Sequence, residues 1–179
     1  WGNATANDFL GELRAQLGDQ VADMMQTYVD RPGVPVVSAR IECSPPPRPG
    51  ATPVRAETPR IVIDEPRRAL PAGVTDPAPA PWHIPVCVRY GDATHAERAC
   101  GAGSIAVTSC PTWVIPNADA TGYYRSVLDD KQARRLLDAR SPVARMAHPT
   151  SAERRMTFSD LRAMVDRAEL GIDVVLAAI

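Results

Sequence analysis

His83-Ile84-Pro85-Val86-Cys87-Val88-Arg89-Tyr90 alternates its side chains with period two. Successive side chains of a strand point to opposite faces, so Ile84, Val86, Val88 and Tyr90 share one face and His83, Pro85, Cys87 and Arg89 the other. The first set predicts a strand with one buried face. Downstream, Gly91-Asp92 offers a turn, residues 96–99 a weak strand, and Gly101 with Gly103 a second turn. Ile105, Val107 and Ser109 then alternate toward Trp113-Val114-Ile115. Upstream, residues 34–41 and 60–64 read as two more strands. Together these predict a small antiparallel β domain, expected to be a sandwich.

Eighteen prolines, most of them between Pro32 and Pro116, restrict this region to strand edges, turns and extended linkers, because proline lacks a ladder donor and biases its predecessor away from helix. Residues 44–59 and 69–81 are rich in Pro, Ala and Arg and hold too little apolar surface to offset the entropy of ordering, so they are expected to be mobile loops.

Helix is expected on either side. In residues 5–28 the apolar positions Phe9, Leu10, Leu13, Leu17 and then Val21, Met24, Met25, Tyr28 fall at helical spacing, predicting two helices. Asp19 is the expected N-cap of the second, and Asp30-Arg31-Pro32-Gly33 ends it. Helical periodicity returns over 129–140 and 151–170, the latter with Leu161, Met164, Val165 and Ala168 on one stripe. Thr150 with Glu153 fits a capping box, Gly171 the C-cap position, and Asp173 the start of another helix. The fold class expected is therefore α+β, a β-sandwich between an N-terminal helical tail and the opening of a C-terminal helical domain. A start at Trp1 and an end at Ile179, directly after an apolar run, read as two cut ends of an internal segment.

The 20 basic and 21 acidic residues leave a formal charge of -1 and are interspersed, so no field gathers nucleic acid or anionic lipid. No apolar run approaches the roughly 20 residues that cross a bilayer as a helix, and membrane insertion is not expected. His83, His95 and His148 lie far apart, without a second ligand at helical spacing, so HExxH is absent and a metal site is not expected. Gly101-Ala102-Gly103-Ser104 precedes a strand rather than a helix and reads as a turn, not a phosphate loop.

Cys100 and Cys110 flank a glycine-containing turn and form the candidate disulfide, whereas Cys43 and Cys87 read as packed thiols. Paired thiols would suit an exported protein and buried thiols a cytosolic one, so both compartments stay open. A self-contained enzyme using a Cys/His nucleophile is the remaining catalytic alternative. The aromatics Trp113, Tyr123 and Tyr124 gather around Asn117 and Gly122, and are expected in the core.

Asn117-Ala118-Asp119-Ala120-Thr121-Gly122-Tyr123-Tyr124-Arg125 resembles the Asn-x-x-x-Thr-Gly-Tyr-Tyr-Arg segment leading out of the β domain of aminopeptidase N and its puromycin-sensitive relatives, the gluzincin aminopeptidases. Gly2-Asn3-Ala4-Thr5-Ala6-Asn7-Asp8-Phe9, Pro32-Gly33-Val34-Pro35-Val36-Val37 and Trp82-His83-Ile84-Pro85-Val86 resemble further segments of that family in the same order. The resemblance implies that residues 1–31 end a thermolysin-like catalytic domain, 32–117 form the β-sandwich and 118–179 begin the C-terminal helical domain. It also implies a junction built on Asn117, Gly122, Tyr123, Tyr124 and Arg125. The family's zinc ligands, its Gly-x-Met-Glu-Asn segment and its oxyanion tyrosine lie upstream of the matched region, so no catalytic, cofactor or metal residue is carried onto this chain. Zinc and the peptide substrate would belong to the parent, and this segment's partners would be the parent's catalytic and C-terminal helical domains. The competing reading is an interaction module in a catalytically inactive relative.

Overall fold

The computed structural model describes residues 2–44, 58–71, 73–77, 82–138 and 140–176. Of the two segments expected to be mobile loops, residues 45–57, 72 and 78–81 lie outside the described residues. The protein is α+β, with helices at both ends of the chain and two sheets between them.

Helices α1 (Ala6–Leu17) and α2 (Asp19–Asp30) form a hairpin. A capping box between Thr5 and Asp8 starts α1. Asp19 is the first residue of α2 and not its cap: Gly18, at φ 89°, takes the non-helical position between the helices, which glycine adopts with no Cβ penalty.

The first sheet is built on β1 (Pro35–Glu42), which pairs antiparallel with β2 (Arg60–Ile63) and β3 (Arg67–Arg68). Val37 and Ser38 face three residues, Asp64, Glu65 and Pro66, between the two paired stretches. Proline is thus accommodated at a bulge, where no ladder donor is required. The Asp64 carboxylate at this bulge accepts from Ser38 and Arg40. β6 (Ser104–Ala106) extends the sheet beyond β2, and β8 (Arg125–Val127) joins β1 in the one parallel pairing among the described strands. The second sheet has the order β5-β4-β7, from β5 (Ala96–Gly101), β4 (Val86–Gly91) and β7 (Trp113–Ile115).

The alternation over 83–90 holds: Ile84, Val86, Val88 and Tyr90 are all buried. They pack against Val37, Ala39, Ile61 and Ile63 of the other sheet in one apolar cluster. The opposite face of the second sheet is also covered. Val114 of β7 joins the inter-sheet cluster, while its neighbours Trp113 and Ile115 join a second cluster with Leu128, Leu161 and Met164. That cluster is closed by α3 (Asp130–Leu137), α4 (Pro142–Ala147), α5 (Ser151–Asp166) and α6 (Ile172–Leu176).

The capping box of Thr150 and Glu153 opens α5 as expected. The helix ends at Asp166, however, and not beside Gly171. Ala168 takes φ 57°, the N–H of Ala168 bonds the Val165 carbonyl, and that of Glu169 bonds the Met164 carbonyl. This is a Schellman closure made by alanine, and it leaves Ala168 exposed rather than on the apolar stripe.

Ile61 is fully buried between the sheets and Val74 is 52% exposed. Ile61→Ala is expected to destabilise the fold by about 2–5 kcal/mol, and Val74→Ala by less than about 0.5 kcal/mol. Urea unfolding of both variants reads the difference, and equal midpoints would contradict this placement of the core.

Candidate functional site

The five residues of the sequence-predicted junction lie between residues 117 and 125, just after β7, and each is held in a different way. Asn117 is 4% exposed. Its side-chain amide donates to the Gly122 carbonyl at 2.9 Å and accepts from the Gly122 N–H at 2.9 Å, as a backbone strand partner would. The enclosed turn contains Asp119 and Ala120 at φ 57° and 56°, a left-handed pair that residues with a Cβ adopt at a cost. The Asn117 clamp supplies compensating bonds.

Gly122 does not serve as a source of left-handed backbone freedom: it is absent from the positive-φ glycines. A Cβ there would overlap the Tyr124 ring, so space is what demands glycine. Tyr124 lies in the inter-sheet core at 3% exposure, donating its hydroxyl proton to the Pro116 carbonyl at 2.9 Å and, more weakly, toward the Cys87 carbonyl at 3.4 Å. Burial pushes its phenol well above the ordinary range, which keeps that proton in place as a donor. Tyr123, by contrast, is 71% exposed and outside the core in which it was expected. Its carbonyl accepts from the Tyr28 hydroxyl at 3.1 Å, and the two rings meet edge to face at 5.7 Å, linking α2 to the junction. Arg125 donates to Ser159 Oγ at 2.7 Å and to Asp160 Oδ1 at 3.1 Å.

Two buried carboxylates on α5 complete the site, and sequence reasoning did not single out their role here. Glu153 receives both prongs of the Arg89 guanidinium, at 2.9 and 2.6 Å, together with the N–H groups of Asp119 and Thr150. The same guanidinium reaches the Ala147 carbonyl at 2.8 Å and stacks 5.2 Å above the Trp113 ring. Seven residues on, Asp160 accepts the Ser126 N–H at 2.9 Å besides Arg125. Both acids are 1% exposed. Glu153 was legible only as a capping residue; its spacing from Asp160 on one helix face was the available signal for the pair.

Their titration runs in opposite directions. Burial raises the Glu153 pKa, but the bonds from Arg89, Thr150 and Asp119 outweigh it and hold the carboxyl below its ordinary value. For Asp160 burial wins over Ser126 and Arg125, and the pKa is raised. Glu153 therefore adds stability above the unfolded carboxylate range that is lost as pH falls. Asp160 favours the fold at low pH, and that contribution is lost as pH rises through its raised value.

The candidate disulfide between Cys100 and Cys110 is corrected. Cys100 bonds Cys87, its register partner across β4 and β5, while Cys110 bonds Cys43 at the end of β1. The hairpin reading failed because residues 102–109 carry the chain from one sheet to the other, so the two cysteines do not face each other across a ladder. All four cysteines are bonded, so no thiol is left for a Cys/His nucleophile and none ligates a metal. His83, His95 and His148 are exposed in three separate connecting segments. Among the described residues no three His, Cys, Asp or Glu side chains converge on one point, and those present do not fit zinc. No helix among them is long and apolar enough to cross a membrane. An apolar groove of about 820 Å³ runs between α2 and the Trp82–Val86 stretch, and its ionisable residues are Asp23 and His83.

Removing one partner of a buried ion pair leaves the other uncompensated, so Glu153→Gln is expected to cost about 3–5 kcal/mol at neutral pH. It should also flatten the loss of stability between about pH 5 and about pH 3, read from urea midpoints across that range; an unchanged acid limb would remove Glu153 from this role. No protein-family model matches the chain, and no curated protein matches it.

Proposed function

We propose that this chain is the non-catalytic β-sandwich and interdomain scaffold of a zinc-dependent aminopeptidase of the aminopeptidase N type, an enzyme that removes N-terminal residues from peptides. In this reading α1 and α2 close a catalytic domain, the two packed sheets form the sandwich, and α3 to α6 open a C-terminal helical domain. The partners are the parent's own catalytic and helical domains, and the peptide is the substrate of the whole enzyme.

One observation carries the reading. The residues on which the family resemblance rests have separate physical tasks at a single junction: Asn117 closes the left-handed turn, Gly122 makes room, Tyr124 is hydrogen-bonded into the core, and Arg125 holds α5. A segment whose spacing is set by such tasks suits a scaffold that fixes one domain against another. The zinc ligands and the catalytic base are assigned to the parent outside residues 1–179, and no chemical step is assigned to this chain.

The test is to express the complete reading frame that contains this chain and assay it on aminoacyl amides. The expected result is a frame with HExxH, a downstream Glu and Gly-x-Met-Glu-Asn upstream of Trp1, with hydrolysis abolished by chelation and restored by zinc. Gly122→Ala in that enzyme should lower kcat/KM by roughly 10- to 100-fold with zinc content unchanged, because misplacement of a domain costs positioning rather than metal. A frame without the zinc ligands would favour an interaction module instead.

A further inference from the structure

The cysteines lie outside both apolar clusters. Cys100 and Cys110 are exposed, and Cys43 and Cys87 are only half-buried, whereas a cysteine kept for packing is among the most deeply buried side chains. Metal ligation does not account for them, since all four are paired. Each pair instead joins exposed or half-buried positions of the sheet region. Cys43–Cys110 closes 67 residues of chain, much of it proline-rich, and ties the end of β1 in one sheet to the segment entering β7 in the other. Cys87–Cys100 joins opposed residues of β4 and β5. β5 is the outer strand of its sheet, and its residues are exposed or half-buried throughout.

We propose that this protein is folded and works in an oxidising compartment outside the cytosol, and that both disulfides are structural parts installed there by a disulfide-donating thiol oxidoreductase. Pairs in such positions, with no free thiol beside them, match structural disulfides rather than the transient ones of reducing compartments. In each case one cysteine thiolate attacks the donor's disulfide and expels one donor thiolate. The second cysteine then attacks the mixed disulfide and expels the donor's other sulfur. Two protons and two electrons leave the protein per bond, and the donor departs as a dithiol.

The proposal does not rest on the aminopeptidase reading, and its test reads neither zinc nor hydrolysis. The full-length protein is taken from its own cells without reductant, its thiols are blocked by alkylation before and after reduction, and its peptides are mapped. The expected result is recovery in the exported fraction, no alkylation at the four positions before reduction, and linked peptides pairing Cys43 with Cys110 and Cys87 with Cys100. Free thiols at these positions, a cytosolic location, or the opposite pairing would overturn it. The double variants Cys43→Ser with Cys110→Ser and Cys87→Ser with Cys100→Ser should each be digested at least roughly tenfold faster by protease under non-reducing conditions. Wild-type digestion rates in both would refute the structural role.

Discussion

A carboxylate withdrawn from water must find its hydrogen bonds within the protein or give up its charge, and Glu153 meets that demand with four donors from three separate pieces of chain. Arg89 comes from β4, the Asp119 N–H from the turn after β7, and the Thr150 N–H from the residue that caps α5. Each donor is fixed by something else: Arg89 by its strand register and the Ala147 carbonyl, Asp119 by the Asn117 clamp, Thr150 by the capping box. The position of the second apolar cluster follows. With α5 held over β7, Leu161 and Met164 face Trp113 and Ile115, and α3, α4 and α6 fill the remaining sides.

The sheet half of the fold was legible where the pattern was long enough to carry a period. Residues 83–90 show six or more alternating positions, and their inward set is buried as expected. β3 and β8 were not legible, because strands of two and three residues carry no period, and they exist only through pairing with β1. α4 was missed for the same reason. Its six residues are too few for periodicity, although Ser141 before Pro142 carries the N-cap and first-turn signature. The misplaced helix end at Gly171 has a different cause: a closure by alanine at positive φ has no residue-type signal, since the tertiary structure and not propensity stabilises Ala168 there.

The site divides similarly. Asn117, Gly122, Tyr124 and Arg125 stand together in sequence, and their contacts gather them into one junction. Their partners Arg89, Glu153 and Asp160 lie tens of residues away, and nothing in the sequence marks them as buried, because burial of a charge is a property of packing. The disulfide pairing was out of reach for a related reason. Cys100 and Cys110 are neighbours in sequence on either side of a glycine turn, but the chain between them changes sheets, so proximity along the chain did not become proximity across a ladder.

Apolar contacts and charged ones hold α5 for different purposes. The second cluster supplies non-directional burial, which tolerates a helix that slides or rotates slightly over the sheet. A planar guanidinium gripping a carboxylate with two parallel bonds does not tolerate it. Glu153 reaches β4 in the three-stranded sheet and Asp160 reaches β8 in the five-stranded one, so one helix face is registered against both sheets at once. Two anchors seven residues apart fix position along the helix axis as well as rotation about it. Their pKa shifts oppose one another: as pH falls the fold loses the stability that Glu153 contributes, whereas protonation of Asp160 favours the fold. The orientation of the helices over the sheets therefore depends on Arg89 and Glu153, which lie outside the segment that carries the family resemblance, as much as on the segment itself.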